Sequence, residues 1–410
     1  MNAENSIIER ETNTERQRRV AMDIQRRLVE HIRHGTTDRE PGPMRNDPAV
    51  YTSQEWYELE QKHIFQDMPI LVGMTGDIPA PGDKMLFDAT GPSILIVRTE
   101  RGALKAFLNM CMHRAAKLVS DCTRAKRMSC KFHGWTYNLE GELVGQPGAA
   151  SFEGIDKAGL KLVEVPVQEW HGLIFVIPRA GSSDELDVES HLGKIAPELA
   201  QMNFEAATPI KKTRLDVAAN WKYAYDTYGE GYHFGTLHPT TIGAVAHTDM
   251  MVHDRFGLHA RINFPYWTED DFVDKPEEEW AVRPYNGIHL LFPNTVINIA
   301  SMGPGKVFSI YRMFPDGGPN KAFSLMAAYR SGEVPADTDM QPWNDFHDFI
   351  MRVVETEDYS ISATGQRNLQ YAPPGFKMTY GSNEGVLQHF HKNLRDVIES
   401  KQALLNRNEQ

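Results

Sequence analysis

Two short stretches set thiols beside imidazoles. Cys111-Met112-His113 is followed, sixteen residues on, by Cys130-Lys131-Phe132-His133. Two thiolates and two imidazoles suit either a tetrahedral zinc ion or a [2Fe–2S] cluster with mixed ligands. Zinc sites usually pair like with like, Cys with Cys and His with His. Here each stretch supplies one ligand of each kind, the alternation required where two sulfurs hold one iron and two imidazoles the other. The third cysteine, Cys122, has no place in that spacing, and three cysteines within twenty residues are not a disulfide framework.

A second group follows Asn220-Trp221-Lys222. Asp226, Glu230 and His233 stand at i, i+4 and i+7, one face of a continuous helix. His238 lies five residues past His233, about 140° further round such a helix. Pro239 disfavours helix at the residue before it, so the helix should break at His238 and let its imidazole return beside His233. Two histidines and one carboxylate leave a metal open positions for O2 and a substrate. The third ligand must come from elsewhere. A helix around 346–361 carries Glu355, Glu357 and Asp358, and periodicity favours Glu357, mid-stripe with Phe346, Ile350, Val353 and Ile361.

The surrounding elements follow from apolar period. Val20, Ile24, Leu28 and Ile32 predict an amphipathic helix over 14–34, with Thr14 and Gln17 as a capping box and Gly35 as its stop. Its outer face is rich in Arg, and packing on its own domain or a neighbouring subunit is the plain reading. A short helix should begin near Thr52 and Glu55. From 70 to 178, short apolar runs split by turn signals predict antiparallel strands. The stretch 179–187 reads as an exposed link. Beyond it, strands over 211–220, 289–300 and 306–315 mix with helices over 221–234, 343–369 and 387–405. No internal repeat is visible.

A chain of 410 residues with 41% apolar content has room for two buried cores. The net charge of −12 argues against a nucleic-acid partner. No apolar run approaches the ~20 residues of a membrane span, and the N-terminus has no signal-peptide pattern. The expectation is a soluble, cytoplasmic protein with no membrane association.

The stretch CMHRAAKLVSDC…CKFHGWTYNLEGEL closely resembles the Rieske pattern Cys-x-His-Arg…Cys-x-x-His-Gly-Trp-x-Tyr, with Ala115 where that family commonly has Gly. NWKYAYDTYGEGYHFGTLHP is similar to the catalytic-iron motif of Rieske-type non-haem iron oxygenases (aromatic-ring-hydroxylating oxygenases), and Glu357, Asp358 and Gln366 resemble its third-ligand helix. The resemblance covers residues 44–178 well, and beyond them the stretches 220–239 and 343–370. It implies an α subunit carrying one [2Fe–2S] cluster on Cys111, His113, Cys130 and His133. It also implies one mononuclear Fe(II) on His233, His238 and Asp358, preferring Asp358 to Glu357. Glu230 stands where most ring-hydroxylating members have Asp, as in some oxygenases of quaternary ammonium compounds. There it would link His233 to the His133 equivalent of an adjacent subunit. Asp226 joins Glu230 as a candidate catalytic residue.

The implied fold is α+β, an antiparallel β Rieske module inserted in a larger helix-grip-like catalytic domain. The expected division is 1–43 (N-terminal helical segment), 44–178 (Rieske domain) and 179–410 (catalytic domain). The implied protein is a homotrimer, with or without a β subunit. It takes electrons from an NAD(P)H-dependent reductase, with or without a ferredoxin, because no flavin or nicotinamide fingerprint is present. Hydroxylation, cis-dihydroxylation and oxidative demethylation all stay open, with aromatic or apolar substrates, hence aromatic hydrocarbon catabolism, as the default. Tyr223, Tyr225, Tyr228 and Tyr232 raise the alternative of an ammonium cage. Met250, Met251, Phe256, Phe264, Leu290, Phe292 and Asn294 are either pocket or core. A cluster-only electron carrier and a zinc-dependent hydrolase are the competing classes. The first is opposed by the 232 residues after Pro178 and by His233 and His238.

Overall fold

The computed structural model describes residues 12–181, 186–302, 305–332, 334–335 and 337–408. Residues 1–11 of the N-terminal segment and 182–185 of the expected link lie outside the described residues.

The first helix, α1 (Asn13–His34), is capped two residues earlier than its sequence suggests. The Thr12 hydroxyl accepts from Glu15 N at 3.3 Å and the Glu15 carboxylate accepts from Thr12 N at 2.8 Å. Gln17, the expected capping partner of Thr14, instead donates to Gln201 O. Gly35 closes the helix at φ 59°, as expected. Ala21, Ile24, Leu28 and Val29 are buried, and Arg27 forks between Asp38 and Asp254. After a single turn of helix at Ala49–Thr52, the short helix expected near Thr52 and Glu55 is Gln54–Glu60, capped by Ser53 rather than Thr52.

Strands Lys84–Phe87, Ile94–Arg98, Leu104–Leu108 and Glu164–Val165 form an antiparallel sheet in that order. Arg127–Ser129, Thr136–Asn138 and Leu143–Gly145 form a second. The first Cys-His stretch follows the strand ending at Leu108, and the second is the turn between 129 and 136. Leu95, Val97, Phe107, Met128, Trp135 and Tyr137 pack with Cys111 and Cys130 in one small core.

The larger unit is built on a seven-stranded antiparallel sheet. Its strands are β1 (Thr208–Val217), β2 (Val252–Phe256), β3 (His259–Asn263), β4 (Gly287–Leu291), β5 (Thr295–Met302), β6 (Gly305–Pro315) and β7 (Ala322–Arg330). They lie in the order β1-β7-β6-β5-β4-β3-β2. Alternate residues serve opposite cores. Leu290, Val296 and Tyr311 pack towards Trp221, Val354 and Phe390, while Leu291, Ile297 and Ile310 pack towards Ile24 and Leu28 of α1. Both faces are therefore covered, and the strands read as apolar runs. The architecture is α+β, as expected.

Helices α2 (Trp221–Asp226), α3 (Phe234–Leu237), α4 (Gln341–Val353), α5 (Tyr359–Leu369) and α6 (Gly385–Asn408) complete this unit. The single helix expected over 221–234 is not formed. A Cβ on Gly229 would meet Leu387 at 2.2 Å and one on Gly231 would meet Phe264 at 2.7 Å, so the chain turns there at close quarters. Asp226, Glu230 and His233 consequently share no helix face. The break at His238 is where Pro239 puts it, since α3 ends at Leu237.

Candidate metal centres and the cavity above the second

The two Cys-His loops repeat one backbone design. Cys111 N donates to Ala116 O and Cys130 N to Trp135 O; Ala115 N donates back to Cys111 O and Gly134 N to Cys130 O. The fifth residue of each turn is left-handed, Ala115 at φ 59° and Gly134 at φ 73°. The loops present His113 Nδ1 and His133 Nδ1 3.1 Å apart, near the roughly 3.4 Å expected for two nitrogens at tetrahedral bonds of about 2.1 Å to one metal. The Tyr137 hydroxyl lies 3.6 Å from Cys111 Sγ and accepts from Met112 N. Burial pushes the Cys111 thiol above its usual range. Two thiols behind and two imidazoles in front suit a mixed-ligand [2Fe–2S] cluster. Cys122 is exposed and outside this group.

The second group assembles from three elements. His233 lies just before α3, His238 just after it, and Asp358 ends a π-helical turn, Val354–Asp358, inserted between α4 and α5. Asp358 Oδ1 is 3.2 Å from His238 Nε2 and 3.6 Å from His233 Nε2. All three ligand atoms lie within 4.8 Å of one another. The other nitrogen of each ring is held by a carboxylate. Glu230 Oε1 is 2.5 Å from His233 Nδ1, and Glu357 Oε2 is 2.6 Å from His238 Nδ1 and accepts from Thr241 Oγ1. A carboxylate on Nδ1 fixes the tautomer that leaves Nε2 free to ligate. Burial lowers the proton affinity of His238, but Asp358 and Glu357 outweigh it and the net direction is up. Two histidines and a carboxylate on one side suit iron with open positions.

The wide turn explains why periodicity misleads. The i→i+5 bonding of this turn brings Asp358 under Val353 where the i→i+4 bonding of a regular helix would bring Glu357. Ile350, Val353, Val354 and Asp358 therefore line the same cavity, and Ile361, expected in the stripe, is 52% exposed.

Asp226 points elsewhere. Its carboxylate accepts from the Tyr51 hydroxyl at 2.5 Å and meets His391 Nε2 at 3.0 Å, with Tyr380 against Tyr51. Asn220 caps α2 and holds Tyr51 O and Pro319 O, while Trp221 and Lys222 both reach the buried Glu60 at 2.7 and 2.5 Å. Gln366 accepts from Asn220 N and donates to Tyr51 O. This network ties the two short helices Ala49–Thr52 and Gln54–Glu60 to the segment that carries the histidines. Glu60, Tyr51 and His391 have no local sequence signal, because the residues of α2 that they hold, Trp221, Lys222 and Asp226, are more than 160 residues away.

Above His233, His238 and Asp358 opens a cavity of about 140 Å³. Aromatic lining comes from Tyr228, Phe234, Phe264, Tyr266 and Tyr311, aliphatic lining from both flanking elements, and a side-chain amide from Asn298. No Lys or Arg is among its described lining residues. Of the candidate pocket residues read from sequence, only Phe264 reaches it. Of the four tyrosines, only Tyr228 does. Tyr225 stacks on Phe390, Tyr223 packs on Tyr51, and Tyr232 is 61% exposed.

Residues 68–166 match the Rieske [2Fe-2S] domain, and residues 204–400 match the ring hydroxylating alpha subunit (catalytic domain). The chain belongs to the Rieske-type non-haem iron oxygenases. As an α subunit of that family it is a terminal oxygenase component, an oxidoreductase with a [2Fe–2S] cluster and a mononuclear iron. It is 28% identical over 361 residues to the carnitine monooxygenase oxygenase subunit of Acinetobacter pittii (strain PHEA-2), covering 83% of this chain and 90% of that one. Over 199 residues it is 30% identical to the benzene 1,2-dioxygenase subunit alpha of Pseudomonas putida, 47% of this chain and 44% of that one. Among solved structures, a quaternary ammonium Rieske monooxygenase in complex with L-carnitine superposes with a TM-score of 0.72 at 22% identity, over 86% of this chain and 95% of that one. Naphthalene 1,2-dioxygenase from Rhodococcus sp. bound to indole gives 0.69 at 18%, over 92% and 98%. Among the described residues of this Rieske oxygenase, no helix is long and apolar enough to cross a membrane.

Proposed function

We propose that Cys111 and Cys130 hold one iron of the cluster, His113 and His133 the other, and that His233, His238 and Asp358 hold the mononuclear iron. When bound, the cluster relays single electrons and the mononuclear iron activates O2. Supporting the second assignment is the meeting of two Nε2 atoms and one carboxylate oxygen at the floor of an apolar cavity. The chain's own residues then orient the ligands, through Glu230 on His233 and Glu357 on His238, and exclude water, through the aromatic walls. Asp226 acts at a distance, by holding α2 against the N-terminal and C-terminal segments.

The substrate reading is a small, mainly apolar and aromatic molecule without a carboxylate, hydroxylated or oxidatively demethylated. A carboxylate would enter the cavity with no Lys or Arg to receive it and with Asp358 nearby, a costly burial. A quaternary ammonium substrate is the second reading, supported by the likeness to carnitine and glycine betaine monooxygenase oxygenase subunits and by the aromatic walls. Carnitine and glycine betaine both carry a carboxylate, so the cavity favours a cation without one. Product analysis with a surrogate reductase, NADH and O2 tests this. Products from neutral aromatics support the first reading; products from carnitine would overturn the exclusion of carboxylates.

The working division is 1–43, 44–178 and 179–410, with residues 44–66 strapped onto the catalytic unit through the pairing of Met44–Asn46 with Met378–Tyr380. The working assembly is a homotrimer served by an NAD(P)H-dependent reductase, in which Glu230 faces the partner's cluster. A solved relative is described as revealing inter-subunit electron transfer. Iron analysis separates this reading from a cluster-only carrier, with three irons per chain against two.

A further inference from the structure

Apart from Glu230 and the three metal-binding side chains, five polar side chains are among the described lining of the cavity: Thr227, Tyr228, Tyr266, Asn298 and Tyr311. Thr227 Oγ1 donates to Ala224 O at 2.9 Å. The Tyr228 hydroxyl lies 3.1 Å from that of Tyr359, which in turn meets Ser324 Oγ at 2.6 Å. Tyr266 stands at the rim, 47% exposed, and the buried Tyr311 hydroxyl has Ser309 and Asn298 as hydrogen-bonding neighbours.

Asn298 is the open one. Beyond its approach to Tyr311 its amide forms no hydrogen bond among the described residues, and the residue is partly exposed. An amide has two donors and two acceptor positions, so most of its capacity is unused. The sheet fixes where that capacity points. Val296 and Asn298 are two apart on β5 and face the same way. Ile288 of β4 is the Cα partner of Asn298, and Tyr311 of β6 that of Val296. All four line the cavity. Ile297 and Ile299, which point the other way, are fully buried, and β5 has a strand on each side. The surface that Asn298 keeps is therefore cavity surface.

We propose that Asn298 determines specificity by hydrogen-bonding an uncharged oxygen of the substrate, a hydroxyl or a carbonyl on an otherwise apolar aromatic frame. This rests on the reading of the cavity as the substrate site. A neutral oxygen matches a neutral amide, and no Lys or Arg is among the described lining residues to receive a charged one. A pure hydrocarbon would displace water from the amide and leave it unpaired, and a site built to bond a polar group rejects the analogue that lacks it. The oxygen so held anchors one end of the molecule, while the rest lies among the aromatic and aliphatic walls.

The test is calorimetric titration of the full-length holoenzyme with 1-indanone, 5-indanol and indane, three molecules of similar size. In Asn298→Leu at least one of the two oxygen-bearing probes should bind about tenfold or more weakly, the loss of roughly one buried hydrogen bond. Indane should bind as tightly as in the wild type, or more tightly. Those opposite responses separate recognition from a disturbance of packing, which would weaken all three. A larger loss for 1-indanone means that the amide donates, and a larger loss for 5-indanol that it accepts. Asn298→Ala takes the place of Asn298→Leu if the latter does not fold, as judged by circular dichroism. Ile288→Trp, which fills the cavity, shows where the probes bind. If no probe binds, or if binding survives Ile288→Trp, the reading of the cavity fails and the proposal with it. If Ile288→Trp abolishes binding while the Asn298 variant changes all three probes alike, or none, the cavity reading stands and the proposal is overturned.

Discussion

Glu357 and Asp358, neighbours in the chain, hold opposite edges of the same imidazole. Glu357 Oε2 meets His238 Nδ1 at 2.6 Å and Asp358 Oδ1 meets His238 Nε2 at 3.2 Å. Adjacent residues of a regular helix diverge by about 100°. The π turn over 354–358 lets both reach His238, one as orienting base and one as ligand. Asp358→Ala should therefore lose the mononuclear iron and keep the cluster spectrum. Glu357→Gln should keep measurable iron but lower metal affinity or turnover by roughly 10–100-fold, the range for groups that orient a ligand. Iron analysis of the two variants decides, and loss of the mononuclear iron in Glu357→Gln with retention in Asp358→Ala would reverse the assignment.

At the cluster, Cys111→Ala and Cys130→Ser should each abolish the visible absorption, because neither a methyl nor a hydroxyl replaces a thiolate on iron. Tyr137→Phe should keep the colour and lower the reduction potential, since the hydroxyl beside Cys111 Sγ favours the more negative reduced state. Potentiometry reads the second effect; an unchanged potential would reduce Tyr137 to a packing residue.

Glu230 has both oxygens engaged within its own chain, Oε1 with His233 Nδ1 and Oε2 with the backbone N–H groups of Tyr232 and His233. In Glu230→Gln one side becomes a donor and must lose a partner. Both kinds of iron should stay bound, while reoxidation of the reduced cluster in the presence of substrate and O2 slows by roughly 10-fold or more. Stopped-flow absorbance checks this, and a rate within about twofold of wild type would leave Glu230 a carboxylate that only closes the turn at Tyr232 and His233.

Ala115 occupies a left-handed position that its counterpart Gly134 fills without a side chain. An L-residue there costs on the order of 1 kcal/mol, partly offset by the greater unfolded-state freedom of glycine. Ala115→Gly should raise the unfolding temperature of the cluster unit slightly, or leave it unchanged, with the cluster spectrum intact. A clear fall in thermal scans would mean the methyl group is needed.

Glu384 is held up at about 7 by burial first, then by repulsion from Glu230, Asp226 and Asp249, although Gly381 N–H donates to it. A raised acid is favoured neutral in the fold. Its contribution is complete below the unfolded value near 4.5 and is lost as pH rises through about 7. Glu384→Gln should therefore stabilise the protein by about 1–3 kcal/mol at pH 8, discounted for partial exposure, and hardly at all near pH 4.5. Denaturant midpoints at the two pH values give the comparison.

By itself the sequence determined the ligand types. Cys111, His113, Cys130 and His133 alternate in a way that two local turns must bring together, and each turn closes within six residues. The break at His238 was equally legible, because a proline acts on the residue before it. The π turn was not, since apolar periodicity assumes a regular pitch and so nominated Glu357. Helical spacing runs straight through Gly229 and Gly231, because the side chains that press on them, Leu387 and Phe264, come from distant parts of the chain. The same holds for Glu60 beneath Lys222, for Tyr51 and His391 around Asp226, and for a cavity that selects Tyr228 from four tyrosines. Local chemistry is encoded by spacing; which carboxylate ligates, which one orients and what surrounds the substrate depend on contacts across the whole chain, and only the tertiary structure decided them.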